Sequence, residues 1–530
     1  MEKRAVLAVV LSLLVLLGYQ YIFAPKEPIV AEKSAPLSGT HSMPAGPAGA
    51  MTPALEHPKA EGAAQPSLPQ GEGLAGKDIV VETDTIRAVL NTKSASVKSW
   101  TLKRYKDKAN GTVAVEMVPP GKRQLELVST ENGRHFPDNL IYVSDKESLN
   151  GAGSITFTAM RPEGVKITKI FTFPEGSYKA ALKVSYENSG SSAIIESPAL
   201  SLSMLSKAED RGIFYHELVY LSGKDVKRVY PDKFKDEKFG SGQMDWVFLG
   251  DKYFMTAIIP AKGGDREVYS KKISDELYEA YLVSRALQIK PGESGGEEYE
   301  IYFGPKEVDL LKAAGSRLER SIDLGFFDLV AYPVLLGLKW MYNLIPNYGA
   351  VVILLTVVIK ILFWPLSQKS YKSMKDMQKL APLMEQLREK YKDDKEKLNR
   401  EVMDLYKKYK VNPLGGCLPM LLQAPVFFAL YTVLNGAVEL RHAPFILWIT
   451  DLSAKDPYYV TPVIMGATMF IQQKMTPSTT ADPMQQKVMM LMPVIFTFMF
   501  LNFSSGLVLY WLVNNVLSIG QQHYVNKYIK

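Results

Sequence analysis

The sequence predicts a polytopic α-helical membrane protein with six crossings, five of which form one core. It also predicts a large β-sandwich domain outside the membrane and a helical hairpin in the cytoplasm. Three observations predict this fold class: an apolar stretch behind a basic N-terminus, a long central segment that alternates like β-strands, and a series of apolar runs after Gly325. Long apolar runs indicate crossings, and apolar–polar alternation indicates half-buried strands.

The composition of the 530-residue chain fits a membrane protein better than a nucleic-acid-binding protein. Hydrophobic residues make up 47% of the chain, and the formal net charge is +7. The basic residues cluster in one stretch, which indicates orientation in a membrane. Cys417 is the single cysteine, so an internal disulfide is excluded.

Residues 1–23 are predicted to be an uncleaved transmembrane anchor. A basic N-terminus precedes the apolar stretch, and no clear small-x-small cleavage site follows it. A secretory signal peptide is the alternative. Residues 24–76 are rich in Pro, Gly and Ala and predict a disordered, extended linker.

Residues 77–305 predict the β-sandwich domain. Ile79 and Val81 alternate with other residues, as do Ile155 and Phe157, and turn signals separate the strand-like segments. Many short strands between such turns are typical of a β-sandwich.

Residues 306–348 predict a helix and then an amphipathic helix that lies in the membrane interface. Phe326 and Trp340 belong to the second helix, which has charges near both ends and Pro333 inside it. This pattern fits an interfacial helix. A further crossing is the alternative, but it would change the topology.

The five core crossings are predicted at residues 349–366, 412–437, 459–473, 488–502 and 506–520. Several are shorter than the roughly 20 residues that span a normal bilayer. Short crossings imply a locally thinned membrane or tilted neighbours. The segments 438–458 and 474–487 are loops, and residues 521–530 form a short cytoplasmic tail.

Loop charges predict the orientation. Residues 367–411 are dense in lysine and arginine, whereas the loop 438–458 has only Arg441 and Lys455 against three acidic residues. By the positive-inside rule, the basic segment is cytoplasmic. Both termini are then cytoplasmic, and the β-domain lies in the periplasm if the chain belongs to the inner membrane of a Gram-negative bacterium.

Lys360 lies inside an otherwise apolar run and is the most informative residue of the chain. A charge at the centre of a membrane helix costs roughly 2.5–3.5 kcal/mol on insertion scales, and it usually faces a partner or a water-filled cavity. Snorkelling is the alternative, because a lysine stem can carry its ammonium toward the interface near Leu366.

Other polar side chains accompany Lys360 in the predicted crossings. Thr356 lies one turn earlier on the same helix face, and Gln423 lies in the next crossing. The remaining members are Thr432, Asn435, Thr468, Gln472, Asn514 and Asn515. Several polar groups beside a charge predict a wet cavity, whereas interhelical hydrogen bonding is the alternative for any single one.

The basic segment 367–411 also has internal order that predicts a helical hairpin. Two apolar stripes recur at helical spacing on either side of an Asp-Asp pair. The first stripe is Leu380, Met384, Leu387 and Tyr391, and the second is Leu398, Val402, Leu405 and Tyr409. Pro382 should kink or break the first helix. A solvated charge run that only fixes topology is the alternative.

No enzyme signature is found in the sequence. It lacks a phosphate-cradling Gly-rich loop followed by Lys-Ser/Thr, and it lacks His-Glu-x-x-His. The sequence therefore predicts no catalytic residues, no metal site and no cofactor.

Several strings resemble those of the YidC/Oxa family of membrane protein insertases, over essentially the whole length of the chain. They are Val411-Asn-Pro-Leu-Gly-Gly-Cys-Leu-Pro419, Ala443-Pro-Phe445 with Trp448, Asp451-Leu-Ser-Ala-Lys-Asp-Pro-Tyr-Tyr459, Gln473-Lys-Met475, Asp482-Pro-Met-Gln-Gln-Lys487, Met492-Pro-Val-Ile-Phe496 and Ser505-Gly-Leu-Val-Leu-Tyr510. The resemblance implies a five-helix insertase core and a periplasmic β-super-sandwich similar to sugar-mutarotase folds.

The resemblance also implies roles for individual residues. The essential cation of the family falls on Lys360, where most relatives have arginine. With Thr356 and Gln423 it would line a hydrophilic groove open to the cytoplasm and to lipid. The substrate slide would comprise Phe427, Met465, Tyr510 and Trp511, with Thr356 and Met499 also at path positions.

The implied partners are nascent inner-membrane proteins, the Sec translocon, membrane lipids, and ribosome or targeting factors at the hairpin, although the short tail predicts a reduced ribosome contact. No nucleic-acid binding is expected. The main rival is a secondary transporter or channel that uses Lys360 as an ion or substrate site, but no inverted repeats support it. A sugar enzyme in the β-domain and a chaperone for already inserted proteins are further alternatives.

Overall fold

The computed structural model describes residues 76–109, 111–131, 134–206, 217–230, 233–234, 237–392, 394–409, 411, 418–475 and 483–528. The predicted anchor, residues 1–23, and nearly all of the predicted linker lie outside the described residues.

The first part of the structure consists of β-strands. They are β1 Asp78–Glu82, β2 Ile86–Asn91, β3 Ser96–Lys106, β4 Ala114–Glu116, β5 Val128–Glu131, β6 Arg134–Pro137, β7 Val143–Ser144, β8 Ser148–Asn150, β9 Gly153–Met160, β10 Val165–Phe173, β11 Lys179–Asn188, β12 Ile194–Glu196, β13 Ala199–Leu205, β14 Glu217–Ser222, β15 Asp225–Val229, β16 Glu237–Gly250, β17 Phe254–Pro260, β18 Asp265–Lys272, β19 Leu277–Ser284, β20 Leu287–Ile289 and β21 Ser294–Pro305.

Two large sheets build this β-domain. The smaller sheet has the order β4-β3-β2-β1-β8, and β8 pairs with β1 in parallel. The larger, 12-stranded sheet follows the path β13-β19-β18-β16-β17-β21-β11-β10-β9-β7, and β14 joins it beside β16. Neighbouring strands along this path are antiparallel, both where they are consecutive in sequence and where they are not.

Side-chain alternation explains why the two sheets pack face to face. The predicted inward residues Ile79, Val81, Ile155 and Phe157 are all fully buried. Trp100 of the smaller sheet joins the sheets, because its ring centroid lies 4.9 Å from that of Phe303 and 5.9 Å from that of Phe173. The predicted β-sandwich is therefore confirmed.

The second part of the structure is helical. Its helices are α1 Val308–Ala314, α2 Asp328–Leu344, α3 Tyr348–Lys379, α4 Ala381–Lys390, α5 Lys395–Lys408, α6 Leu418–Gly436, α7 Val460–Met475, α8 Pro483–Phe500 and α9 Ser505–Tyr528, with short 3-10 turns at Leu318–Ser321 and Val438–Leu440. One apolar core joins α2, α3, α6, α7, α8 and α9.

Helix α3 is longer than the predicted crossing 349–366. The side chain of Asn347 caps its N-terminus by accepting a hydrogen bond from the Ala350 N–H. The helix then passes through Pro365 and continues to Lys379. Its 32 residues span about 48 Å at 1.5 Å per residue, so the basic end extends well beyond a hydrocarbon core of about 30 Å.

The boundary between α3 and α4 lies beside Pro382, where a kink or break was predicted. The helical path breaks at Leu380, two residues before Pro382, and Pro382 lies in the first turn of α4. Proline is tolerated there because its missing N–H would have no intrahelical partner. The first stripe residue, Leu380, is thus the junction between two helices.

The residues of the predicted tail belong to the last helix as far as Tyr528. Residues 521–528 continue α9 as a helix, and Gln521, Gln522 and Val525 are buried. Gln521 donates a hydrogen bond to the Trp364 carbonyl oxygen at 3.4 Å, and Gln522 donates one to the Met475 carbonyl oxygen at 2.7 Å. These contacts fasten the end of α9 to α3 and α7, which residue types alone do not reveal.

Candidate functional site

Lys360 lies in the middle of α3 and is half-buried against α9. Its Nζ donates a hydrogen bond to the Ser518 Oγ at 2.6 Å, and the Ser518 hydroxyl donates in turn to the Asn514 carbonyl oxygen at 2.7 Å. A serine hydroxyl can accept one hydrogen bond while it donates another. The ammonium is therefore held by a neutral side chain rather than by a carboxylate.

Thr356 does not share a polar contact with Lys360. Its side chain is buried, and its hydroxyl donates to the Val352 carbonyl oxygen at 2.6 Å within the same helix. The predicted common face is present, but the hydroxyl is already satisfied there. Thr356 thus belongs to the helix-packing core in this conformation.

Gln423 connects α6 with α9. Its Nε2 donates a hydrogen bond to the Tyr510 hydroxyl, and Tyr510 is only 1% exposed. Tyr510 was predicted in the substrate slide, but its ring lies inside the helical core. This part of the predicted slide is not at the surface, because the hydroxyl turns inward to reach Gln423.

Met465 is also buried, with no exposed side-chain surface. The next residue explains why: a Cβ on Gly466 would lie 2.0 Å from the Thr497 Oγ1, so α7 and α8 approach too closely for any larger residue there. Small residues permit such contacts between membrane helices. The structure therefore places Met465 between helices and not on a substrate-facing surface.

Phe427 and Trp511 form the exposed part of the predicted slide. Their rings meet edge to face with centroids 5.0 Å apart, and Trp511 also contacts Phe496 and Phe500 at 6.3 and 5.3 Å. Both Phe427 and Trp511 are half-buried. Edge-to-face aromatic contacts hold such a surface in one arrangement.

The C-terminal half of α9 contributes a polar stripe that the sequence-based prediction largely missed. Asn515, Ser518 and Gln522 recur at +3 and +4, so they share one helix face. Asn515 donates to the Thr468 Oγ1 at 3.3 Å. The Oε1 atom of Gln521 is buried and has no hydrogen-bond partner among the described residues. The spacing of these polar residues could have identified the stripe.

The two helices α4 and α5 carry the predicted apolar stripes. Leu380 and Met384 are buried, and Leu387, Tyr391, Leu398, Val402 and Leu405 are half-buried. The Tyr406 hydroxyl donates to the Met384 Sδ at 3.3 Å and joins the two helices. Tyr409 differs from the prediction, because it is 49% exposed at the end of α5.

Lys339 of α2 joins the β-domain to the helical core. Its Nζ lies 3.1 Å from Glu307, 2.7 Å from Asp309 and 3.2 Å from Glu439. Burial opposes the charged lysine, but the surrounding carboxylates raise the pKa of Lys339 above its usual value. Burial likewise raises the pKa of Glu439. Arg441 adds a second link, since its guanidinium donates to the carbonyl oxygens of Lys106 and Asp107.

Among the described residues, Tyr348–Lys379 is the helix whose length and composition would allow it to cross a membrane. Val488–Phe500 is a shorter apolar segment. In the same residues, no group of three or more His, Cys, Asp or Glu side chains is arranged to hold a metal ion.

Comparison with known proteins gives consistent matches along the chain. The family model "YidC periplasmic domain" matches residues 78–336, and the model "60Kd inner membrane protein" matches residues 340–530. Membrane protein insertase YidC of Geotalea daltonii is 45% identical over 99% of this chain and 99% of its own length. The insertase of the same name from Citrifermentans bemidjiense is 44% identical, also over 99% of each chain.

A crystal structure of an active YidC insertase with its first transmembrane domain resolved covers 86% of this chain and 95% of its own. It is 19% identical, and the TM-score is 0.37.

Proposed function

Because the chain belongs to the YidC family of membrane protein insertases, we propose that it inserts nascent proteins into the inner membrane and helps them to fold. The observation that carries the mechanism is the hydrogen bond between Lys360 and Ser518. A cation inside a membrane helix with only a neutral partner can exchange that partner for an anionic or polar substrate group.

We propose six crossings: the N-terminal anchor, α3, α6, α7, α8 and α9. The apolar N-terminal stretch, α3 and the loop charges support this count, and the basic segment 367–411 supports cytoplasmic termini. The β-domain is then periplasmic. Helix α2 lies in the interface, because its exposed residues Leu329, Leu336, Trp340 and Leu344 form an unpartnered apolar face.

The proposed hydrophilic groove is bounded by Lys360 and Gln423, with the polar stripe of α9 as its opposite wall, and Thr356 supports α3 there from the helix-packing core. A polar, often acidic segment of the nascent protein enters from the cytoplasm and replaces Ser518 at Lys360. Partial entry lowers the cost of moving that segment through lipid, because its polar groups keep hydrogen-bond partners. Locally thinned lipid around short helices lowers the cost further.

The apolar helix of the substrate then leaves along the proposed slide, of which Phe427 and Trp511 are the exposed members. Met465 and Tyr510 are buried in the helical core, and Tyr510 is held there by the Gln423 hydrogen bond. No covalent step is required. Burial of the substrate helix supplies the free energy, aided by the membrane potential at about 2.3 kcal/mol per charge per 100 mV.

The proposed partners are nascent inner-membrane proteins, membrane lipids and the Sec translocon. Helices α4 and α5 would form a cytoplasmic hairpin that guides substrates or docks ribosome and targeting factors. The exposed Lys407 and Lys408 beside Tyr409 support such a docking role, because a positive surface attracts acidic partners.

The decisive experiment is insertion of a small substrate with an acidic periplasmic tail into liposomes that contain only this protein. Wild type and Lys360→Arg should insert the substrate, and Lys360→Ala should fail. Lys339→Arg, a conservative change at a lysine outside the proposed groove, serves as the matched control. Equal insertion by all variants would exclude the cationic groove, and solute uptake without insertion would favour a transporter.

A further inference from the structure

A small cavity of about 70 Å³ lies where the β-domain meets the helical core, and the proposed insertion mechanism does not use it. Its walls come from the base of the β-domain, from the segment that leads into α2, from α2 itself, and from the C-terminal end of α6. One water molecule needs at least about 10–15 Å³ of such a volume. The cavity therefore has room for a small polar group of a few non-hydrogen atoms.

Glu439 is the buried carboxylate of this cavity. Its side chain is 6% exposed and lines the wall just after α6. The Oε1 atom lies 3.2 Å from the Lys339 Nζ, yet it accepts no hydrogen bond from the residues that the structure describes. A buried charge is costly unless it is both paired and hydrogen-bonded. The carboxylate therefore favours a ligand that brings a hydrogen-bond donor.

Lys339 does not neutralise Glu439 alone. The same ammonium also binds Glu307 at 3.1 Å and Asp309 at 2.7 Å, so one positive charge is shared among three carboxylates. Burial raises the pKa of Glu439, as expected for a carboxylate whose partners do not offset its desolvation. On this side of the cavity, a cationic group is favoured over an anionic one.

The carboxylates on the β-domain side already have cationic partners. Glu217 lies 3.1 Å from Lys306 and 2.9 Å from Arg228, and Arg228 also lies 3.4 Å from Asp323. Two cations thus face two carboxylates in this network. Glu439 is therefore the carboxylate of the cavity wall that most needs a further cation.

Lys252 adds a positive charge to the β-domain wall. Burial lowers the pKa of Lys252 to about 8, although Asp451 and Asp251 favour its charged form. The two carboxylates therefore do not fully offset the desolvation of this ammonium, and an additional anion beside it would be favourable. A carboxylate that needs a cation on one wall and a lysine that needs an anion on another fit a zwitterionic ligand.

Helix α2 indicates where that ligand comes from. Leu335 lines the cavity, whereas the next residue, Leu336, and Trp340 one turn later are exposed on the apolar face of the helix. Leu324 also lines the cavity, and Phe326, two residues later, is 92% exposed. Large exposed apolar side chains beside a charged cavity fit the headgroup level of a bilayer. The ligand is therefore expected to come from the lipid.

We propose that this cavity receives the headgroup of a phosphatidylethanolamine molecule, whose ammonium binds Glu439 and whose phosphate lies toward Lys252. A primary ammonium donates hydrogen bonds to a carboxylate, whereas a trimethylated choline headgroup has no N–H and a glycerol headgroup has no cation. The aminoethyl end enters the cavity, and the acyl chains lie beside α2. The lipid assignment rests on the interfacial position proposed for this helix.

The test measures lipid retention by the delipidated full-length protein in detergent, with native mass spectrometry. Phosphatidylethanolamine, phosphatidylcholine and phosphatidylglycerol with identical acyl chains are added in separate samples. Wild type should retain the ethanolamine lipid about tenfold more than either of the others. Glu439→Gln should lose this preference, because the neutral amide removes the charge that holds the ammonium. Glu163→Gln, at an exposed carboxylate outside the cavity, is the matched control and should behave like wild type.

Equal retention of the three lipids by wild type would overturn the inference, and this comparison needs no variant to fold. An unchanged preference in Glu439→Gln would overturn it as well. Soluble glycerophosphoethanolamine should not be retained, and retention equal to that of the lipid would contradict the lipid assignment. Insertion is assayed on the same wild-type preparation. Insertion without an ethanolamine preference overturns only this inference, whereas the preference without insertion overturns only the proposed function.

Discussion

The β-domain and the helical core each bury a lysine among apolar side chains, but they hold it differently. Lys169 is fully buried and donates to two backbone carbonyl oxygens. Lys360 is half-buried and donates to one side-chain hydroxyl, that of Ser518. A carbonyl fixed between strands cannot leave without unfolding, whereas a serine hydroxyl leaves by rotation about one bond.

Two glutamines repeat this difference. Gln124 in the β-domain satisfies both ends of its amide on the backbone of Ser203. Gln423 in the helical core makes its hydrogen bond to the Tyr510 side chain. Buried polar groups in the β-domain therefore fix the scaffold, while those in the helical core have partners that a substrate can replace.

The largest expected effect is a difference between the two regions in how the free energy of unfolding depends on pH. Burial lowers the pKa of Lys169 to about 8, from 10.5 when exposed. Between these pH values the unfolded chain binds more protons, so the free energy of unfolding of the β-domain rises with pH, by up to about 3 kcal/mol at about 1.4 kcal/mol per pKa unit. Below pH 8 the contribution of Lys169 to the free energy of unfolding does not change with pH.

Hydrogen exchange of the β10 amides in the full-length protein measures this rise. The comparison must be with Lys169→Met, because other groups also titrate at high pH. The rise should be absent in the variant. The same slope in both proteins would show that Lys169 is not the group responsible.

Next in size is the stability effect of replacing each lysine by methionine. Lys169→Met leaves the carbonyl oxygens of Ser94 and Leu125 without a donor, and relief of lysine desolvation offsets part of that loss. We expect a net destabilisation of about 2 kcal/mol near neutral pH. Lys360→Met should change the unfolding free energy by less than about 1 kcal/mol, since only a hydroxyl loses its partner. Urea unfolding in detergent measures both, and equal losses would remove the distinction between the regions.

Replacing Gln124 and Gln423 by leucine, each in its own variant, should give a smaller difference in stability between the two regions. Gln124→Leu leaves the N–H and carbonyl of Ser203 unpaired in a fully buried site, so we expect a loss of about 2 kcal/mol. Gln423→Leu leaves a tyrosine hydroxyl that can find water or another acceptor, so about 1 kcal/mol is expected. Exchange protection of β13 and of α9 reports the two effects separately. If Gln423→Leu lost more stability than Gln124→Leu, Gln423 would be the residue that fixes the scaffold, and Gln124 would be the one with an exchangeable partner.

The last prediction concerns insertion rather than stability, and it tests the partner of Lys360. Ser518→Asp would replace a neutral acceptor by a charged one and hold the ammonium in an ion pair. Insertion of a substrate with an acidic tail should then fall by about tenfold, equivalent to about 1.4 kcal/mol. Ser518→Thr keeps the hydroxyl and should insert like wild type. Undiminished insertion by Ser518→Asp would mean that Lys360 does not need to release its partner.

The sequence by itself determined the division of the chain into two regions. The apolar residues Ile79 and Val81 are sufficient to predict a half-buried strand. Side chains two positions apart on a strand lie on the same face of the sheet. The isolated charge of Lys360 in an apolar run likewise predicts its importance, because a charge in lipid is costly wherever its neighbours lie. The strings shared with the insertase family added the function that these patterns could not specify.

Only the tertiary structure decided which residues act together. It paired Lys360 with Ser518, withdrew Met465 and Tyr510 into the core, and extended α9 through the predicted tail. It also brought the buried Lys169 to the carbonyl oxygens of Ser94 and Leu125, which lie far from it in the chain. Periodicity gives the face of a helix or strand, but the element that covers this face is set by packing between distant segments, which no local pattern encodes.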